Sequence, residues 1–396
     1  MKSKLLGGIL LIVGTAIGGG MLALPIVTAQ GGFLGGVGLL FLSWIVMTFS
    51  AFLLLEVNLW MPINSNIILM AKKTLGGWAE IVAWVCYLLL FYCLLAAYIS
   101  SGKDVVHDLL SAAGFSHSSA FDAMLFTLLL GVIVYKGIQT IDYTNRALMF
   151  VKLLAFVLLV GFIMPHVDIS RFSEGHVKYL VPAVTVVMTS FGFSPIIPSL
   201  RGYFQNDVVK LRRAILIGSL IPLVCYVAWI AVVFGSIPYD GEYGLMSIVK
   251  HPTILTLIQS LIKELNTSAI TSLTRIFTSI CVVTSFLGVS LCLVDFLADG
   301  FRLQKVGREN LFLHAITFIP PLIIALIYPT AFVVGLSYAG IFLAILVIML
   351  PAFMVWNGRY RKNIVAEYRV IGGKLPLILV TLVSLFIIYQ GLFWRT

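Results

Sequence analysis

A polytopic, all-α membrane protein is the fold class this sequence predicts, and three observations predict it. The 396 residues are 60% hydrophobic and only 11% charged, with a mean hydropathy of +1.07. An average soluble domain is roughly 25% charged. This chain therefore lacks the polar groups to cover a water-facing surface, and a water-soluble enzyme is excluded. Second, the apolar residues gather into eleven segments, each near the roughly 20 residues a helix needs to cross a bilayer. Third, two of these segments, five apart in the order, are broken by glycine or proline near their middles.

In chain order the segments run 4–29, 33–60, 78–101, 120–136, 143–165, 180–203, 211–235, 269–298, 311–328, 331–355 and 375–394. The start, MKSKLLGGILLIVG, has the basic opening of a signal peptide. Its apolar run continues to Thr28 without a small-residue cleavage site, so it is read as a retained first span. The longest connections are 166–179 and 236–268, and the second carries an amphipathic stretch expected to lie on the membrane surface. Neither is long enough for a separate soluble domain, so residues 1–396 form a single transmembrane domain. Cys86, Cys93, Cys225, Cys281 and Cys292 all fall in apolar runs without CxxC or Cys/His metal spacing, and are expected to pack as small hydrophobes. No metal or cofactor is expected.

The net charge of +10 would suggest nucleic acid in a soluble protein. In a membrane protein, basic residues mark the cytoplasmic loops instead. With the N-terminus inside, only Lys103, Arg171, Lys178, Lys250, Lys263, Arg275 and Arg395 fall outside, and the other 19 of the 26 Lys and Arg fall inside. The bias holds with Lys152 set aside and predicts a cytoplasmic N-terminus and a C-terminus on the opposite face. It removes any reason to invoke nucleic acid.

Segment one reads LLIVGTAIGGGMLALP and segment six VVMTSFGFSPIIPSL. Each glycine weakens a helix by about 1 kcal/mol relative to alanine, and a broken helix frees amides and carbonyls that hydrocarbon cannot satisfy. Small residues also let helices pack closely, but consecutive glycines with a second break five segments later match the pattern of inverted-repeat carriers. The repeats are expected at about 4–165 and 180–355, with an extra helix at about 375–394. After Gly18, Gly19 and Gly20 a new half-helix begins, and its free amides suit a carboxylate. Carbonyls before it, around Thr15, Ala16 and Ile17, and in the second break around Ser190, Phe191, Gly192 and Phe193, suit an ammonium. A zwitterionic amino acid fits both ends.

The strings GTAIGGGMLALP, LLLEV, AAYISSG, TSFGF, IGSLIPLVCYVAW, TSFLGVSLCLVDFLAD, AITFIPPL, YPTAFVVGLSYAG and YRVIGGK, read in order over residues 4–376, resemble the hydroxy and aromatic amino acid permeases. The resemblance implies the amino acid–polyamine–organocation fold: two five-helix inverted repeats with helices one and six broken, plus an eleventh helix. It implies a bacterial inner-membrane protein importing an aromatic amino acid with a proton, tyrosine first, with tryptophan or broad aromatic selectivity as the alternative. One departure stands out. The family commonly follows its sixth-segment SFGF or SFGY with histidine and glycine, whereas this chain has Ser194 and Pro195.

A charge at mid-bilayer costs at least about 2.5 to 3.5 kcal/mol, so each one is a functional candidate. Lys152 lies inside segment five, two turns of apolar residues beyond Asn145. Burial disfavours a charged lysine, which suits loading and release of a proton; the alternative is a side chain snorkelling to the cytoplasmic surface. The resemblance implies that such a lysine stands where sodium-coupled carriers hold an ion between segments one and eight. Thr284 and Ser285, a vicinal hydroxyl pair in segment eight, suit an ion or ammonium beside the first break. Tyr92 and Ala96, the two segment-six phenylalanines and Tyr338 are candidates for the side-chain pocket, whose aromatic walls would stack an aromatic ring. Glu56 is expected in a structural ion pair, and Asp295 and Asp299 to cap loop amides or pair with Arg302 or Arg213. Arg275 and His314 sit near interfaces. An intramembrane enzyme would require paired acidic or metal-ligand motifs, and a channel a filter-like repeat; neither is present.

Overall fold

The computed structural model describes residues 2–393 apart from 64, 113, 116, 137, 329 and 365–367. Arg395 lies outside the described residues, as do the side chains of Asn145 and Arg146. All eleven apolar segments are helical. Segment one is split into α1 (Lys2–Ala16) and α2 (Gly19–Thr28), and segment two is α3 (Gly32–Leu59), followed by the short α4 (Ile67–Leu75). Then come α5 (Gly77–Ala112), α6 (Ser119–Tyr135) and α7 (Ile138–Ile163). Segment six is split into α8 (Val184–Ser190) and α9 (Ile197–Tyr203), and α10 (Val208–Ser236) follows. The long connection folds as α11 (Leu245–Lys250) and α12 (Ile254–Leu265). After α13 (Ser268–Phe301) and α14 (Gly307–Ile327), segment ten runs through α15 (Ala331–Leu343), a π turn (Ala344–Met349) and α16 (Leu350–Tyr360), and α17 (Lys374–Phe393) ends the fold.

Nine helices among the described residues are long and apolar enough to cross a membrane, one of them the near-continuous run Gly19–Leu59. Lys4–Ala16 and Ser119–Tyr135 are shorter apolar helices. The first is half of a broken span. The second, at 17 residues, reaches about 26 Å at 1.5 Å per residue, just under the ~30 Å hydrocarbon thickness.

Large apolar side chains such as Leu128, Phe150 and Val157 are exposed on α6 and α7, where lipid tails are the solvent. The interior is built by close crossings that glycine permits. A Cβ on Gly335 of α15 would sit 2.8 Å from the Cys93 carbonyl of α5, and one on Gly340 would sit 2.4 Å from the Thr185 carbonyl of α8. These contacts seat α8, and with it the second break, between α15 and α2.

Two polar clusters tie helix ends together. The Arg201 guanidinium donates to the carbonyls of Asn58 and Met61, joining α9 to the end of α3. Glu56 pairs with Arg359 of α16, as expected of a structural ion pair, and its carboxylate also accepts from the Val370 amide at 2.7 Å.

Expectations for α12, Asp295 and Cys292 are corrected, and those for Arg275 and His314 are extended. The amphipathic helix α12 does not offer its apolar face to lipid: Ile254, Leu257, Ile258, Leu261 and Leu265 are buried, and the helix packs on α13, α5, α10 and α2. Asp295 pairs with Lys305 at 2.5 Å rather than with Arg302 or Arg213. Arg275 does more than sit at an interface, since it grips Asp108 of α5 with two bonds of 2.7 and 3.1 Å. His314 is buried against Tyr135, with its Nδ1 2.7 Å from the Asn310 carbonyl. All five cysteines are free, but Cys292 is exposed rather than packed.

Candidate functional site

The first break is short. The amide of Ile17 closes the last turn of α1 on the Val13 carbonyl (2.8 Å), and the chain then passes through an extended Gly18 into α2. Of the amides opening α2, that of Gly19 donates to Ser285 Oγ at 2.7 Å and that of Met21 to the Gly18 carbonyl at 3.1 Å. Among the described residues the amides of Gly18 and Gly20 have no partner. Unpaired donors at a helix N-terminus, with the positive end of its dipole, are a ready anion site.

The glycines are also there for space. A Cβ on Gly18 would meet Ser285 Oγ at 2.3 Å, one on Gly19 the Tyr98 ring at 2.6 Å, and one on Gly20 Ser190 Oγ at 3.1 Å. Close packing and free amides are thus two results of the same residues.

The carbonyls left by the break are held by two buried side chains. Lys152, near the middle of α7 and 1% exposed, donates from Nζ to the Ile17 carbonyl at 2.6 Å and to Thr284 Oγ1 at 3.3 Å. It does not snorkel. Thr284 in turn donates to the Ile280 carbonyl at 2.8 Å. The Tyr226 hydroxyl of α10 lies 2.7 Å from the Ala16 carbonyl and 2.7 Å from the Ser190 carbonyl, so it bridges the two breaks. A phenol carries one proton. It cannot fully serve both carbonyls at once, and one retains capacity for another donor.

The second break begins where α8 ends at Ser190. Phe191 leaves the helix, and the Gly192 and Phe193 amides turn back on the Thr189 and Phe191 carbonyls at 3.0 and 2.9 Å. A 3-10 turn over Ser194–Ile196 leads into α9, with Pro195 and Pro198 at positions where the missing N–H costs nothing. Phe191 and Phe193 are fully buried, the former edge-on to Tyr226 with ring centroids 5.1 Å apart. Ser194 is 0% exposed and its Oγ has no partner among the described residues.

The structure therefore brings together Ala16, Ile17, Gly18, Gly19, Gly20, Lys152, Ser190, Phe191, Thr284 and Ser285. Other predicted residues face elsewhere. Thr15 is exposed and bonds back to the Ile12 carbonyl at 2.8 Å. Tyr92 is turned to α14, where its hydroxyl donates to the Ile316 carbonyl at 2.8 Å. Ala96 lies about 200° around α5 from Tyr98, the residue that does reach Gly19. Gly192 faces Leu343, and Tyr338 is half-buried on α15, whose Ser337 bonds Thr185 at 2.9 Å. Tyr98 and Tyr226 were not singled out in the sequence. Both lie within the family-like segments AAYISSG and IGSLIPLVCYVAW, but nothing in apolar patterning separates an inward tyrosine from a lipid-facing one.

From Ser285 a stripe on α13, Gly288, Cys292, Asp295 and Asp299, is half-buried or exposed, while Cys281, Thr278 and Thr274 on the other side of Ser285 are buried. Beside the second break, a cavity of about 300 Å³ is lined by Asn66, Ile67, Tyr87, Pro195, Pro198 and Ser199. The second break is thus open toward the end of the bundle that carries α4 and α9.

The model of the tryptophan/tyrosine permease family matches residues 1–390. The tyrosine-specific transport system 1 of Haemophilus influenzae is 34% identical, the alignment covering 97% of this chain and 96% of the relative. The tryptophan-specific transport protein of the same organism is 33% identical over 94% of this chain and 91% of its own. The glutamine transporter 2 of Aliivibrio fischeri is 32% identical over 98% and 99%. With a family model spanning nearly the whole chain and relatives of this similarity aligned end to end, the chain belongs to the tryptophan/tyrosine permease family, a family of multi-pass membrane transporters rather than enzymes.

Proposed function

We propose that the protein is a secondary importer of an aromatic L-amino acid, tyrosine first, working by proton symport and alternating access. The observation that carries the coupling is the bond from Lys152 Nζ to the Ile17 carbonyl at the break. A protonated amine satisfies that carbonyl and the Thr284 hydroxyl together. A neutral one is a weaker donor, and the end of α1 is then free to re-orient. Proton loading of Lys152 and the geometry of the substrate site are one event in this reading, and a resident sodium ion is disfavoured by like charge.

The substrate carboxylate takes the Gly18 and Gly20 amides. The ammonium takes the carbonyl capacity at Ala16 and Ser190 that Tyr226 cannot fill, and the aromatic ring packs among Tyr98, Phe191 and Phe193. In the repeat architecture proposed for this chain, residues 4–165 and 180–355 rock about these breaks and the helix at 375–394 stands outside them. The basic-residue bias supports a bacterial inner-membrane protein with a cytoplasmic N-terminus and periplasmic C-terminus.

A second reading, uptake of a polar amino acid such as glutamine, is favoured by two observations: the glutamine-transporter relative and the buried, unpartnered Ser194 hydroxyl at the second break. Counterflow in proteoliposomes separates the readings. Vesicles loaded with tyrosine, tryptophan, phenylalanine or glutamine are assayed for exchange with each labelled amino acid, with and without a proton gradient. Tyrosine exchange with gradient-driven accumulation is expected. Exchange of glutamine alone sinks the aromatic assignment, and accumulation indifferent to the proton gradient sinks the symport.

A further inference from the structure

Away from the breaks, where the C-terminal end of α5 meets the start of α6, His107, His117 and Asp122 converge. One ligand atom from each lies within 4.8 Å of the others. His107 Nδ1 is 3.1 Å from Asp122 Oδ2, and His117 Nδ1 is 3.3 Å from Asp122 Oδ1. The two imidazoles meet edge to face with centroids 5.4 Å apart.

Ordinary His–Asp hydrogen bonding accounts for His107 and Asp122 Oδ2 but not for the rest of this cluster. The Asp122 side chain is 0% exposed and that of His117 only 11%. Both ring nitrogens of His117 and Oδ1 of Asp122 are nevertheless buried without a hydrogen-bond partner among the described residues. Buried polar groups are nearly always satisfied, and those that are not call for an explanation such as an ion. Here two of these orphaned atoms, His117 Nδ1 and Asp122 Oδ1, face one another with a second imidazole alongside.

We infer that this cluster is a binding site for a divalent transition metal, zinc foremost, held by His107, His117 and Asp122. Two imidazoles and one carboxylate are the donor set that suits zinc, with ligand bonds of about 2.0 to 2.2 Å. Ligand atoms of a tetrahedral centre are then about 3.3 Å apart, whereas here each imidazole lies 3.1 or 3.3 Å from a different oxygen of the Asp122 carboxylate and the three ligand atoms lie within 4.8 Å of one another. Metal binding would draw these three ligand atoms closer together. His107, with its side chain 41% exposed, is the entry path and leaves the fourth position to water. The metal would pin α5 to α6 beside Asp108, which Arg275 ties to α13, and so stiffen the end of the bundle remote from α4 and α9.

The full-length protein, carrying an affinity tag without histidine, is purified in detergent with chelator and titrated with Zn²⁺ by calorimetry, with Mg²⁺ as the control. One zinc per chain, a rise in melting temperature, and on Co²⁺ replacement the visible absorption of a four-coordinate centre are expected. His107→Gln, at a partly exposed position, should melt like the parent without metal. It should lose affinity by more than the roughly 10- to 100-fold that an outer-shell partner is worth, and His117→Gln should do the same. Zinc bound equally well by both variants, or not bound by the parent, overturns the inference; neither outcome bears on the transport reading.

Discussion

Two buried charged centres in this bundle are handled in opposite ways. Glu56 and Arg359 are 1% and 8% exposed and satisfy one another twice over, with the Val370 amide and carbonyl taking up the remaining capacity. Lys152 is as deeply buried, yet its partners are a neutral carbonyl and a neutral hydroxyl, and no carboxylate lies within salt-bridge reach among the described residues. An ion pair that is complete has no reason to change its protonation state; it holds α3, α16 and the following loop in one arrangement. A lone ammonium in apolar surroundings is expensive while charged. The difference teaches which centre is a fastener and which is poised to move.

Breaking the fastener should have the largest effect on stability. Arg359→Leu leaves the Glu56 carboxylate buried without its countercharge and should cost about 3 to 5 kcal/mol, read as a fall in melting temperature in detergent. Glu56→Leu with Arg359→Met should recover most of it, because two apolar side chains need no solvation. A neutral single variant would remove the distinction between the two centres.

Lys152→Met should leave the melt much closer to the parent's, since the loss of a donor to the Ile17 carbonyl is set against relief of a buried charge. It should lower gradient-driven accumulation by at least about 10-fold, equivalent to 1.4 kcal/mol, while counterflow exchange of the same amino acid persists. Unchanged accumulation by this variant would reduce Lys152 to a structural donor.

Tyr226→Phe removes the hydroxyl between the breaks. Leaving a buried carbonyl without a donor costs about 1 to 3 kcal/mol; if an ammonium binds there, substrate affinity should change along with the melt. A shift in the melt with affinity unmoved would place the ammonium elsewhere. The smallest effect is expected of Ser285→Ala, which deletes the acceptor for the Gly19 amide, a bond worth roughly 0.5 to 1.5 kcal/mol. Carboxylate affinity measured by competition should stay the same or rise as that amide is freed, and a large loss would show Ser285 itself contacting the substrate.

Much of this site was legible in the sequence. Consecutive glycines in an apolar run, a second break at Gly192 and Pro195, and one lysine inside a segment all contradict the chemistry of their surroundings, and contradictions are visible in one dimension. Thr284 and Ser285 were found for the same reason, as paired hydroxyls in a greasy helix. Tyr98 and Tyr226 were not found, because an aromatic in a membrane helix contradicts nothing, and Tyr92, a candidate on the same helix as Tyr98, points to α14. The partner of Glu56 was expected, but its identity depended on where α16 ends beside α3. Likewise α12 was expected on lipid because its periodicity shows only that one face is apolar, not what covers it.

By itself the sequence determined the class, the placement of the spans and the two points where the helices cannot continue. Each follows from local composition meeting a solvent without hydrogen bonds. The tertiary structure alone decided which side chains attend those points: that Lys152 reaches the Ile17 carbonyl across 135 residues of chain, and that Tyr226 joins Ala16 to Ser190. In a chain whose helices are apolar on every side, the face each one turns inward is set by which neighbour can approach most closely, and that is a property of the packed bundle.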